Sequence, residues 1–484
     1  MKNCAIIGSG IAGIASAIRL AAMGLKVDVF EANDYPGGKL REKEVHGFRF
    51  DMGPSVFTMP HLIDELFTLC GKNPRDYFSY TRLPTSFNYV FEDGTHINAY
   101  GNADLLAKEI VEKTDDTEES FRNYLKDISS KYEITKEVFI ENSLHVLSNY
   151  FTTRVAKGLL NFHKIGAFES MDKANKRFFK DPNLVQLFNH YAFYVGSNPM
   201  VAPATLNMIQ HLVIDKGTYI PDRGMYSIIQ ALVKLAEEIG VTFHYHTRVE
   251  EIIVKAGRAS AIRIGKDDVL AYDRIVNNMD VYHAYHKLLP NEPKPERILN
   301  HPKSSSILGF YWSVKGDHKQ LGIHNMLFSR DEHAEYNAVF DQGTICDDPS
   351  VYISVTSKHV KGDAPDGCEN WFVIVIAPND KGQSWDPLVA KTKKNVLAKI
   401  NRMLHITPDI QHEFMLTPPM IKENYASAFG AVFGNSSNSK FAAFLRHSNS
   451  SNIKGLYFVG GSVHPGAGIP MCLNTAKIMA KMFR

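Results

Sequence analysis

The chain has 484 residues, more than one hydrophobic core usually serves, so two or three domains are expected. Lys plus Arg number 54 against 52 Asp plus Glu, and a formal charge of +2 offers no basic field for nucleic acid. Five cysteines (Cys4, Cys70, Cys346, Cys368 and Cys472) form no C-x-x-C pair, which argues against a disulfide framework or a metal site and favours a reducing compartment.

From the N-terminus, "CAII" reads as a short apolar strand of a sheet covered on both faces. Gly8, Gly10 and Gly13 follow in G-x-G-x-x-G spacing. The first glycine permits the tight turn, the second lets backbone approach a pyrophosphate, and the third lets a helix pack closely on the strand. That helix is expected from about Ile11 to Met23, stopped by Gly24 at the C′ position. Its free N–H groups and dipole suit phosphate. "KVDVF" is the second strand, and Glu31 at its end suits an adenosine ribose. "EANDYPGGKL" adds a Pro-Gly-Gly turn, and "HGFRFDMGPS" a strand with its closing turn.

"FNYVFEDGTHINAY" predicts a hairpin turning at Asp93-Gly94. From about 102 to 212 the pattern is helical and amphipathic. Within it, "LSNYFTTRVAKGLLNFHKI" carries Arg154, Lys157 and Lys164 among aromatic and aliphatic residues. That composition suits either a helix on a membrane surface or one packed on the core. "HTRVEEIIVKAGRASAIRI" is a meander turning at Gly257, and "DRIVNNMD" closes it. Residues 291–449 read as strand-rich and aromatic, a mixed sheet with one face toward an apolar cavity. The tail "GLYFVGGSVHPGAGIPMCLNTAKIMAKMFR" returns as strand, glycine-rich loop and helix, with Pro470 expected as the first helical residue. No apolar run reaches the roughly 18 residues of a bilayer span. Residues 1–7 are too few for a signal peptide, so a cytoplasmic protein, soluble or attached to one membrane face, is expected.

The stretches "IIGSGIAG…PGGKLREKEVHGFRFDMGPSVFTMP", "IHNMLFSRD", "PDGCENWFVIVIAP" and "FVGGSVHPGAGIP" together resemble the bacterial-type FAD-dependent carotenoid desaturases, the phytoene desaturase family, in order and over most of the chain. "APATLNMIQHLVIDKGTYIPDRGM" resembles the 1-hydroxycarotenoid 3,4-desaturase branch. The resemblance implies an α/β fold of the amine oxidase superfamily. A Rossmann-like FAD-binding domain would be discontinuous over 1–75, 213–290 and 450–484. A mixed-sheet substrate domain would span 76–101 and 291–449, and a helical subdomain suited to a membrane surface 102–212.

The resemblance also implies non-covalent FAD and the residues that hold it. Gly8, Ser9, Gly10, Ile11, Ala12 and Gly13 would cradle the pyrophosphate, with Glu31 at the ribose. Gly37, Gly38, Lys39 and Leu40 would follow the phosphate and ribityl chain. Gly53, Pro54 and Ser55 would pass the isoalloxazine, and the Val249 backbone would meet the adenine. Gly460, Gly461, Gly468, Ile469, Pro470 and Met471 would close the site, with no metal. Three positions depart from the usual pattern: Lys39 replaces an arginine, with Arg41 two residues on, and Arg223 replaces the first of two glycines before Met225. Gly461 stands where many flavoproteins carry an acid, a departure shared by the desaturases.

The implied activity is formation of a C=C bond by hydride transfer to flavin N5, as 3,4-desaturation of a 1-hydroxycarotenoid. Phytoene desaturation, carotenoid isomerisation and lipid carriage without redox chemistry are the alternatives on this scaffold. The implied partners are a lipophilic carotenoid, a membrane surface, and quinone or oxygen as electron acceptor. No proton-accepting residue is identified. His464 reads as a loop cap, Glu141, Glu169 and Asp172 as solvated faces, and Cys472 does not match a covalent-attachment site.

Overall fold

The computed structural model describes residues 2–146, 162–439 and 442–483. Its first strand, β1 (Asn3–Ile7), is apolar and buried, and a tight turn leads into helix α1 (Ile11–Ala22). Met23 caps α1 and Gly24, with φ +85°, takes the left-handed position after it. Strand β2 (Lys26–Phe30) returns parallel to β1. A parallel sheet is completed in the order Leu456–Phe458, Arg274–Asn277, β1, β2, Thr242–His244. Its strands come from both ends and the middle of the chain, because parallel neighbours need long crossovers. Small residues Ala12, Ala15 and Ala17 on α1 share a core with Leu473, Ala476 and Met479 of the C-terminal helix Ile469–Lys481. This helix starts one residue before Pro470, so the proline is its second residue and not its first.

Beside this layer, Val249–Lys255, Arg258–Ile264 and Asp268–Ala271 form the expected meander, with Gly257 at φ +72°. The expected hairpin is Thr85–Val90 with His96–Tyr100. It joins a seven-stranded sheet in the order Asp409–Leu416, Ser306–Lys315, Cys368–Ala377, Val351–Val355, His324–Leu327, Thr85–Val90, His96–Tyr100. Alternation divides its side chains between two cores. Tyr311, Phe372, Tyr352, Phe87 and Tyr89 belong to one. Trp312, Trp371, Ile353 and Leu327 belong to the other.

The second core is covered by a helix, Trp385–Leu404, through Val389, Val396, Ile400 and Leu404. The strand-rich reading of 291–449 missed this helix. Its apolar positions are interleaved with eight charged or amide residues, and only the sheet beneath shows which face is buried. Each of those aliphatic side chains contributes about 1.5–3 kcal/mol by leaving water.

Among the described residues between 102 and 214, α-helices span Ala103–Lys113, Glu118–Thr135, Met171–Phe178, Pro182–Asn189 and Met208–Ile214. Asn102, Thr117, Ser170 and Asp181 cap the first four, accepting from backbone N–H groups of the first turn. Most of the stretch expected as a helix either on a membrane surface or on the core, with Arg154 and Lys157, lies outside the described residues. Among those described, no helix is long and apolar enough to cross a membrane.

Candidate active site

Three glycine-rich turns converge at the carboxyl ends of the parallel strands. In the first, Gly8 has φ +93°, and a Cβ on Gly13 would stand 2.2 Å from the Gly8 carbonyl oxygen. Only hydrogen fits there. Residues Ile11 and Ala12 open α1, whose N-cap, Gly10, provides no side-chain acceptor, and no acid occupies the first turn. The leading N–H groups therefore remain available to an anion.

The second turn lies directly on the first. Gly37 N–H donates to the Ser9 carbonyl at 2.8 Å, and Gly10 and Gly37 form a parallel bridge. A Cβ on Gly38 would be 3.5 Å from the Gly10 Cα. Leu40 N–H closes this turn on the Gly37 carbonyl. The third segment, Met52–Ser55, packs on the second: a Cβ on Gly53 would sit 2.0 Å from the Lys39 carbonyl oxygen. Two tyrosines of the seven-stranded sheet hold this segment. Tyr311 donates to the Met52 carbonyl at 2.9 Å, and the Tyr352 hydroxyl is 2.7 Å from Ser55 Oγ. Asp51 anchors its start, accepting from Met225 N–H and from Arg49. Pro54, beside Ser55, is half-buried.

The C-terminal loop closes the site. Asn278, at the end of the Arg274–Asn277 strand, fills the space between the loop and the first turn. Its Nδ2 would lie 2.7 Å from a Cβ on Gly10, and its Oδ1 2.9 Å from one on Gly460. The run "NNMD" was read only as the end of a meander, so this residue was missed. Arg446, also unremarked in the sequence, donates to the carbonyls of Gly461, Phe433 and Asn435 at 3.0–3.2 Å. Gly468 precedes Ile469, Pro470 and Met471 as an N-cap without a side-chain bond, leaving this helix end free as well.

The electrostatics fit a bound dinucleotide. Lys39 points inward, its Nζ donating to the Val432 carbonyl at 3.1 Å. Arg41 points away, its guanidinium 3.0 Å from the Tyr35 hydroxyl and facing the Tyr35 and Tyr425 rings. Neither Lys39 nor Arg446 makes an ion pair among the described residues. Burial lowers both from their ordinary values, Arg446 to about 10. Lys39, Ser55, Gly461, Met471 and Cys472 are each half-buried. Two buried cations with no ion pair among the described residues cost free energy that a polyanion would offset.

Glu31 takes an unexpected position. Its Oε2 accepts from Ser9 N–H (2.9 Å) and Ser9 Oγ (2.7 Å), and its Oε1 from Asn33 N–H and Nδ2, both at 2.9 Å. The carboxylate thus braces the first turn, and a ribose hydroxyl would exchange with one of these side-chain donors. Thr247 N–H donates to the Glu31 carbonyl, which brings Val249, buried at the start of its strand, to the same end of the sheet.

The His464 ring does not bond within its own loop: its Nε2 meets the Asn142 carbonyl of the helical region at 2.9 Å, and burial lowers it to about 4, so it stays neutral. Glu169 and Asp172 pair with Arg177 and Lys176, and Glu141 lies near Lys136. Asp172 also reaches inward to Asn189. Among the described residues no group of His, Cys, Asp and Glu could hold a metal. A cleft of about 310 Å³ opens where Leu62, Tyr132, Ile140 and Lys477 meet.

This architecture is that of a flavoenzyme, and the chain belongs to the flavin-containing amine oxidoreductase family, whose profile matches residues 11–481. Over its full length it is 45% identical to a 1-hydroxycarotenoid 3,4-desaturase of Flavobacterium sp. (strain P99-3), covering 99% of that protein. It is 35% identical to a 4,4'-diapolycopene oxygenase of Methylomonas sp., over 98% of this chain and 96% of the relative. A carotenoid 3,4-desaturase of Haloarcula japonica is 32% identical, over 99% of this chain and 97% of that one. Among solved structures, a putrescine oxidase shares the fold with a TM-score of 0.66 at 13% identity, covering 100% of this chain and 98% of its own.

Proposed function

We propose that this protein is an FAD-dependent carotenoid desaturase that introduces a C=C bond, at the 3,4 position of a 1-hydroxylated carotenoid. The reading is carried by the 45% identity to a 1-hydroxycarotenoid 3,4-desaturase across the whole chain. The glycine cradle, the two free helix ends and the inward Lys39 and Arg446 are compatible with it. Desaturation removes a hydride and a proton from adjacent carbons, and a non-covalently held flavin supplies the hydride acceptor. Gly8, Ser9, Gly10, Ile11, Ala12 and Gly13 would hold its pyrophosphate, with Gly37, Gly38, Lys39 and Leu40 along the chain beyond. Gly53, Pro54 and Ser55 would border the ring, and the Val249 backbone the adenine. Gly460, Gly461, Gly468, Ile469, Pro470 and Met471 would close over it. Lys39 and Arg446 would favour the negative charge that reduction adds.

The aromatic face of the seven-stranded sheet would present the polyene while excluding water. The substrate would be drawn from a membrane on the cytoplasmic side, with quinone or oxygen as final acceptor. The test is anaerobic. Protein and FAD are mixed with liposomes carrying either phytoene or a 1-hydroxylated carotenoid, the flavin absorbance is followed, and the lipids are weighed by mass spectrometry. Flavin bleaching with a product two hydrogens lighter, only from the hydroxylated substrate, is the expected result. Bleaching with phytoene moves the activity to that substrate, and isomers without bleaching refute desaturation. Because the related protein of Methylomonas sp. is named as an oxygenase, the same extracts after aeration are checked for a product heavier by oxygen.

A further inference from the structure

A chain of polar groups runs from the segment beside the second glycine turn into the aromatic face of the seven-stranded sheet. Ser55 Oγ lies 2.7 Å from the Tyr352 hydroxyl, which lies 2.8 Å from Nδ1 of His324. His324 and Ser354 are directly opposed on neighbouring antiparallel strands, with Tyr352 two residues along, so all three share one face. The His324 ring stacks on Phe87 at 5.1 Å and is only 3% exposed. Its other nitrogen, Nε2, is buried and has no hydrogen-bond partner among the described residues. The buried Tyr194 hydroxyl, close enough to Tyr352 to interact electrostatically, also lacks one.

An unsatisfied buried ring nitrogen is costly, and such atoms in native proteins usually meet a water or a ligand. Burial lowers His324 to about 3, so the imidazole is neutral at any working pH. Each tautomer leaves Nε2 one bond to make. If Tyr352 donates to Nδ1, Nε2 carries the hydrogen and donates; if Nδ1 donates to Tyr352, Nε2 accepts. A hydroxyl, both donor and acceptor, satisfies either state. In a 1-hydroxylated carotenoid only one carbon separates the hydroxylated carbon from the bond desaturated at the 3,4 position. The partner of that hydroxyl must therefore stand beside the reacting end of the flavin. The chain from Ser55 to His324 begins on the segment packed against the Lys39 turn.

We infer that His324, oriented by Tyr352 and Ser55, binds the hydroxyl of the substrate and makes this enzyme specific for hydroxylated carotenoids. The inference rests on the reading of the protein as a 1-hydroxycarotenoid desaturase. His324 is the residue in contact with substrate, and Tyr352 a positioning residue.

The experiment compares wild type with His324→Leu, both reconstituted with FAD, on a 1-hydroxylated carotenoid and on the same polyene lacking the hydroxyl. Turnover gives kcat/KM, and the shift of the polyene absorbance on titration gives binding without turnover. Loss of one buried hydrogen bond to a hydroxyl should lower kcat/KM and affinity for the hydroxylated substrate roughly 10- to 100-fold, and leave the other within about 3-fold. An equal fall for both substrates, or none for either, overturns the inference. Wild type that acts on the unhydroxylated polyene alone overturns the functional reading beneath it. If the leucine variant fails to bind flavin, Tyr352→Phe, which deletes one oxygen, is put through the same comparison. It should narrow the preference for the hydroxyl, and an unchanged preference refutes the assignment.

Discussion

Glu31 is the strongest point at which to test the cradle. Its two carboxylate oxygens accept four donors, two of them backbone N–H groups, from Ser9 and Asn33. A glutamine of nearly the same shape offers one oxygen and one NH2. Whichever way the amide turns, one backbone N–H faces its NH2 group, the Ser9 hydroxyl or Asn33 amide beside it must reorient to accept, and all four bonds lose their charged acceptor. Hydrogen bonds to a charged group are worth about 1.5–3 kcal/mol each, so Glu31→Gln forfeits about 3 kcal/mol or more from the turn that must be ordered before flavin binds. Where that cost falls on the binding-competent form, the affinity for FAD drops about 100-fold. The assay is titration of apoprotein with FAD, read by quenching of flavin fluorescence, with far-UV circular dichroism to show that the fold persists. A folded variant that binds FAD within about 3-fold of wild type would refute the reasoning, because the first turn would then not depend on this acceptor.

Gly13→Ala should abolish flavin retention, because its Cβ would meet the Gly8 carbonyl at 2.2 Å and overpacking of this kind costs about 1–3 kcal/mol. Gly24→Ala, with nothing within 4 Å of its Cβ, should keep the flavin and lose about 1 kcal/mol to its positive φ; similar flavin-to-protein absorbance ratios would contradict this. Cys472, whose thiol burial pushes up to about 11, is a poor nucleophile, so acid precipitation should leave all the flavin in the supernatant and Cys472→Ser should bind as much. Colour in the pellet would contradict that. His447 and His464 are each lowered by burial to about 4, below the ordinary 6.5. The unfolded chain then binds more protons than the folded one, so stability is full above about pH 6.5 and declines as pH falls toward 4, by up to about 3 kcal/mol per residue. Urea midpoints between pH 7.5 and 4.5 should fall along that slope, and His464→Gln should flatten part of it.

Much of the local structure was readable from residues alone. The β1–α1–β2 unit, the end of α1 at Gly24, the Asp93-Gly94 hairpin and the meander turning at Gly257 all stand where expected. Each rests on short-range chemistry: a glycine at positive φ, an apolar strand, an alternating pattern. What was missed has long-range causes. The helix Trp385–Leu404 mixes apolar with charged positions, and its buried side is defined by the sheet it covers. Asn278 and Arg446 carry no local signal, because their partners lie hundreds of residues away or on backbone carbonyls.

The sequence by itself determined that a glycine turn of G-x-G-x-x-G spacing between strand and helix opens the chain, that a second glycine turn follows, and that a glycine-rich loop and helix close it. Those features depend on which residues tolerate close backbone approach, and that is written in the residue types. Only the tertiary structure decided that Lys39 faces inward while Arg41 stacks on Tyr35 and Tyr425. It also decided that Glu31 braces Ser9 and Asn33, and that His324 ends a polar chain with one nitrogen unpaired among the described residues. Direction and burial of a side chain depend on every element packed around it, and no stretch of sequence contains those neighbours.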